Sequence, residues 1–296
     1  MADNTAPVGG VREKLPVWKT VAASYGYVLR RPGFLAGTSA GPLAISLVGC
    51  AVSQIPLPLL IDDPIHVAAR WTHGFLQLVM FPLAVIAGAV QWHQAVLLGR
   101  QKVGWLESNV YVGMVPYTGT LVLLYAFGFA LFGPVLIMSL IGFGAYKEPL
   151  PVLMDRYFIF LAYVVYALRL LLDEDAAPVA LVLFGPYIVL CLALLRPLIA
   201  YLPAAAIPLS GASIRTAWRA MRGSTFRSYA GLAVTALPIL SLVTPILVMS
   251  DIPLPDSVVT LIINMIWAVT WFMAAVLMSH VFLHLRQNAM PMGATA

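Results

Sequence analysis

The chain has 296 residues, of which 61% are hydrophobic and only 10% charged, with a mean hydropathy of +0.92. A soluble domain carries about one charged residue in four, so this composition excludes a freely soluble enzyme and leaves nucleic-acid binding without a domain to supply a footprint. The net charge of +5 then becomes a question of which membrane face the cations occupy.

Residues 1–14 read as a flexible tail. From 15 to 31, Trp18, Val21, Tyr25, Val28 and Leu29 recur at three- and four-residue spacing, which predicts an amphipathic helix lying in the membrane interface. Apolar runs follow at residues 34–55, 75–98, 116–143, 157–172, 178–206, 229–249 and 257–285. These are helical spans by length, since a membrane β-barrel would show short alternating segments. No short apolar core with a small-residue cleavage site occurs in the first 32 residues, so the amino terminus is expected to be retained. Cys50 and Cys191 lie within apolar runs and read as packing residues.

Charge sets the number of crossings. With the amino terminus in the cytoplasm and the first three runs crossing, Arg12, Lys14, Lys19, Arg30, Arg31, Arg100 and Lys102 face inward, and Asp62 and Asp63 face outward. Two further crossings before residue 215 keep Arg215, Arg219, Arg222, Arg227 and Arg286 inside, with Arg196 near the inner end of its helix. Arg70, Lys147, Arg156 and Arg169 then fall outside. Seven crossings would turn the arginine-rich segment outward, against the positive-inside bias. Six are therefore expected, with the short run 157–172, bounded by Arg169 and Asp173-Glu174-Asp175, re-entrant or interfacial.

Landmarks recur in order along the chain. A basic helix opening into a span occurs from Val17 and again from Ser213. "GPLAISLV" from Gly41 matches "LPILSLV" from Leu237, "SQIPLPLL" from Ser53 matches "SDIPLPDS" from Ser250, and "QWHQAVLLGRQ" from Gln91 resembles "SHVFLHLRQ" from Ser279. This order predicts a parallel internal repeat with halves at about 15–101 and 209–287, around a central hairpin at about 102–208. The I-P-L-P octets then form equivalent outer turns, because proline suits a rigid, extended link. The expected architecture is all-α: one membrane domain at 15–296 with interfacial helices.

Candidate binding residues cluster on the basic helices. Arg215, Arg219 and Arg222 stand at i, i+4 and i+7, beside Trp218 and followed by Arg227; Trp18, Lys19, Arg30 and Arg31 are their counterparts near the amino terminus. Guanidinium forks bind phosphate and tryptophan anchors at headgroup depth, so these residues are expected to hold anionic lipid headgroups. An ordinary topology-setting role fits the same pattern. His93, His280 and His284 near span ends are weak candidates for metal or haem, without an H-E-x-x-H pattern or a companion carboxylate. His66 and His73, with Asp62, Asp63 and Arg70, read as an outer solvated segment.

No Asp or Glu lies midway in a long span, which disfavours proton- or cation-coupled transport. G-x-S-x-G and P-loop patterns are missing from the sequence, so nothing suggests catalysis or a cofactor. Intramembrane prolines, among them Pro42, Pro116, Pro197, Pro203, Pro238 and Pro245, predict kinked helices.

Residues 91–99, "QWHQAVLLG", and 196–227, "RPLIAYLPAAAIPLSGASIRTAWRAMRGSTFR", resemble the YciC-like bacterial inner-membrane proteins of unknown function. That family is related to the membrane domain of some glycerophosphodiester phosphodiesterases. Arg196, Leu202-Pro203-Ala204, Ser213, Trp218, Arg222 and Gly223 fill its pattern, whereas Gln94 stands where the pattern has arginine. The resemblance implies a polytopic protein of the bacterial inner membrane with interfacial helices and brings no catalytic residue, while the charge sorting places both termini in the cytoplasm. The expected function is a non-enzymatic component that engages anionic lipid headgroups, a protein partner or a second copy of itself. A transporter or channel for an amphiphilic small molecule is the alternative, and a haem- or metal-binding membrane subunit the third.

Overall fold

A computed structural model describes residues 14–53, 64–102, 104–105, 107–142, 194–195, 198–207, 213–215, 217, 224–248 and 256–289. Every regular element among them is helical. The run 157–172, both I-P-L-P turns, Cys191, and Trp218, Arg219 and Arg222 lie outside the described residues. The chain forms two compact units, Met1–Thr120 with Ala200–Ala296, and Leu121–Ile199. The architecture below is that of the first unit.

Helix α1 spans Val17–Leu29 and ends because Pro32 restricts the residue before it, breaking the chain at Arg30-Arg31. Pro32 then opens α2, Pro32–Ser53, at a first-turn position where its missing N–H costs nothing. Helix α3, Pro64–Phe75, continues through a π turn at Leu76–Met80 into α4, Phe81–Leu98. Pro82 accounts for the π turn: it cannot donate to the carbonyl one turn back, and the chain relaxes into the wider register just before it. Gly99, at φ 71°, closes α4 in the left-handed conformation, which glycine adopts without steric penalty. Helix α5 is Ser108–Gly142, α6 Thr225–Val248 and α7 Asp256–Ala289.

Among the described residues, four helical stretches are long and apolar enough to cross a membrane: Pro32–Val52, Trp71–Leu98, Ser108–Phe127 and Ser257–Arg286. The chain is a helical membrane protein. Helix α7 is the hub and packs against α1, α2, α4 and α6. Cys50 donates to the Ser257 carbonyl and Asn264 reaches Ser46, so α2 and α7 run antiparallel. Phe81 meets Trp267, and His93 meets Ser279, so α4 and α7 run parallel.

These contacts sort the charges by end. One end gathers the close of α4, the close of α7, the start of α6 and the whole of α1. Arg31 donates to the Arg100 carbonyl at 2.8 Å, Arg227 to the Leu15 carbonyl at 3.1 Å, and Arg100 pairs with Glu107 at 2.8 Å. The other end holds the close of α2 and the start of α7, which opens at Asp256.

Candidate functional site

Helix α1 packs one side of its surface into the bundle. It buries Thr20, Val21, Ser24 and Val28, and Val21 joins Leu15, Leu277, Val281 and Leu285 in one apolar cluster. Its outer face leaves Trp18 (73% exposed), Lys19, Leu29 and Arg30 uncovered. Nearby, Phe226 at the start of α6 is 84% exposed, and Arg215 is exposed. A tryptophan, a phenylalanine and three cations thus share the basic end of the bundle without burial, the composition of a headgroup-level surface. Arg31 and Arg227 differ from them: the first also lies over the Tyr27 ring, 4.3 Å from its centroid, and both guanidinium groups hold backbone carbonyls.

Two phenols fasten α1. Tyr25 donates to the Thr235 carbonyl and Tyr27 to the Ala95 carbonyl, each at 2.7 Å. Burial pushes both phenols above the ordinary 10.0; at Tyr27 the Arg31 guanidinium pulls the other way without reversing the shift. The folded state therefore favours the protonated phenol. Its contribution is full below pH 10.0 and is lost as pH rises through the raised values. Phenylalanine at both positions is expected to lower stability at neutral pH by about 1 kcal/mol per bond and to flatten the alkaline decline, read as thermal unfolding in detergent against pH.

A second arrangement lies between α2, α4 and α7. Trp92 is fully buried, donates to Thr38 Oγ1 at 3.1 Å and packs edge-on against Phe34 at 4.6 Å. Ser279 Oγ lies within hydrogen-bond distance of both the Ala275 carbonyl, at 2.9 Å, and His93 Nδ1, at 2.7 Å, and His93 Nε2 pairs with the Tyr117 hydroxyl at 3.3 Å. In the same way Ser24 Oγ lies 2.8 Å from the Thr20 carbonyl and pairs with His280 Nδ1 at 2.9 Å. The two histidines are thus engaged by different serines, and His280 also stacks edge-on against Tyr27. His284 is half-buried one turn beyond. Among the described residues no three metal-ligating side chains converge.

Toward the opposite end, Asn264 Nδ2 donates to Ser46 Oγ at 3.3 Å and to Gln77 Oε1 at 3.0 Å, all three residues being buried. Asn264 to Ser279 is fifteen residues, about 22 Å along a helix. Between them Phe272 fills the space above Gly88, where a methyl group would stand only 2.5 Å from the ring. The seam is therefore polar at both ends and tightly packed midway. Gln94 contributes at the basic end, donating to the Asn109 and Ala206 carbonyls at 3.0 and 3.2 Å.

Of the residues expected to bind lipid, Trp18, Lys19, Arg30 and Arg215 are exposed at one end, and Arg31 and Arg227 brace the backbone there. His73 donates from Nδ1 to the Gly49 carbonyl at 3.0 Å, within the fold rather than in a solvated segment; the side chains of His66 and Arg70 lie outside the described residues. Sequence reasoning passed over Ser46, Gln77 and Asn264. It searched the spans for carboxylates and histidines, whereas the signal was neutral amides inside "FLQLVMF" and "LIINMIW". No family model, curated protein or solved structure matches the chain.

Proposed function

We propose that this protein is a non-enzymatic membrane component whose basic end engages anionic lipid headgroups. The observation that carries this reading is the joint exposure of Trp18, Lys19, Arg30, Arg215 and Phe226 at one end of the bundle. That end faces the cytoplasm of a bacterial cell, in a six-crossing protein of the YciC-like kind, and α1 lies in the interface plane with its uncovered face toward the lipid. A parallel repeat underlies the two basic helices. The I-P-L-P segments flanking the close of α2 and the start of α7 support that repeat, as do His93 and His280, each one hydrogen bond from a serine. A protein partner or a second copy competes for the same surface.

The test is lipid retention. In nanodiscs of phosphatidylcholine with phosphatidylglycerol, the double variant Lys19→Glu/Arg30→Glu is expected to lose about thirtyfold in phosphatidylglycerol retained by native mass spectrometry, at about 1 kcal/mol per cation near the surface. Retention equal to the unmodified protein contradicts the reading. The buried seam favours a second reading, a passage for an uncharged amphiphile, since polar groups at both ends of an apolar constriction suit a gated path.

A further inference from the structure

The Ser46–Gln77–Asn264 cluster has a hydrogen-bond inventory that does not close. Asn264 Nδ2 donates to Ser46 Oγ and to Gln77 Oε1, and Gln77 Nε2 is left buried with no acceptor. Gln77 is only 5% exposed, and more than nine in ten buried polar groups are paired in native proteins. Mere adhesion between helices would be complete without this donor: the Asn264 amide already links α7 to α2 and to the π turn.

Three features around the donor are those of a site. Gln77 is the second residue of the π turn Leu76–Met80, a register change that recurs at functional positions. Gly49 keeps the backbone bare beside it: a Cβ there would collide with the Gln77 amide. One turn outward, His73 holds the Gly49 carbonyl, and His73 is half-exposed, so the cluster connects to the end of the bundle where Trp71 is 76% exposed.

The chemistry of the occupant follows. The donor requires an acceptor oxygen. The described partners are uncharged amides and a hydroxyl, so an ionic ligand would lack a counter-charge at a depth where charge is costly. Asn264 is eight residues, about 12 Å, inside the start of α7, within the apolar stretch Ser257–Arg286. The residues beside Gly49 and Gln77 in sequence, Leu47, Val48, Leu78 and Val79, are exposed apolar side chains that a membrane covers with lipid. We propose that Gln77, Asn264 and Ser46 form an intramembrane site for the carbonyl oxygen of an uncharged glyceride-type amphiphile, with Gln77 Nε2 donating to that oxygen. This site is separate from the basic surface and does not rest on it.

The experiment uses the full chain in phosphatidylcholine nanodiscs doped with dioleoylglycerol, with phosphatidylglycerol and free glycerol as the other probes, read by native mass spectrometry. The unmodified protein is expected to retain dioleoylglycerol above the phosphatidylcholine background and to be indifferent to glycerol. Gln77→Leu should cut dioleoylglycerol retention at least tenfold while keeping phosphatidylglycerol; Lys19→Glu/Arg30→Glu should do the reverse. Gly49→Ala, which crowds the Gln77 amide from the other side, should reproduce the Gln77→Leu loss and guards against misfolding of the first variant. Undiminished dioleoylglycerol retention in both Gln77→Leu and Gly49→Ala, displacement by free glycerol, or no retention by the unmodified protein would overturn the site. A water alone on Gln77 Nε2 in a high-resolution map of the dioleoylglycerol-loaded protein would overturn it as well.

Discussion

Trp92→Ala is expected to destabilise the protein by about 3–5 kcal/mol, the range for truncating a buried aromatic side chain. The indole has no exposed surface, meets Phe34 and Tyr27 edge-on, and ties α4 to α2 through Thr38. Removing it opens a cavity where three helices meet and leaves the Thr38 hydroxyl only its bonds to the Phe34 and Leu35 carbonyls. Trp92→Phe keeps much of the ring and loses only the N–H donor, so its cost should fall to about 1–2 kcal/mol. Thermal unfolding of the purified protein in one detergent separates the two. Equal losses would mean that the hydrogen bond, not the packing, holds this junction.

The second large effect is expected at Gly88. Here α4 and α7 run side by side, and the Phe272 ring occupies the volume a side chain would need. Phe272 is itself fully buried, so it has no solvent-facing rotamer to adopt, and Gly88→Ala should cost about 1–3 kcal/mol through overpacking. The diagnostic is the pair. Phe272→Leu alone leaves a void and destabilises; combined with Gly88→Ala it recovers part of the loss, and the coupling energy of the double-mutant cycle is stabilising. Additive losses would show that the two residues do not share this space.

Much of the fold was legible because the relevant signals are local. Arg31-Pro32 marks the break between α1 and α2, Gly99 marks the end of α4, and apolar runs longer than the hydrocarbon core mark the spans. The spacing in α1 picked out Val21 and Val28, which are buried, together with Trp18 and Leu29, which are exposed. That pattern mixed two faces, because apolar residues at three- and four-residue spacing fall on both the packed and the uncovered side of α1. The π turn was not legible: Pro82 announces a disturbance, but not which register resolves it. The buried amides were missed for a different reason. Asn264 and Gln77 are 187 residues apart, and only the parallel course of α4 and α7 brings their side chains together. The histidines were noticed, but their serine partners come from other helices, so their roles as hydrogen-bonding residues depend on packing and not on spacing.

The proposed orientation of the bundle underlies both the proposed lipid surface and the proposed parallel repeat, and cysteine labelling tests it. Single cysteines at Arg30 and at Trp71, both exposed and at opposite ends, are introduced with Cys50 and Cys191 replaced, and intact bacterial cells are treated with a membrane-impermeant maleimide. Position 71 should label in intact cells and position 30 only after permeabilisation. Labelling of position 30 from outside, with position 71 protected, would contradict the orientation and the engagement of cytoplasmic-leaflet lipid with it.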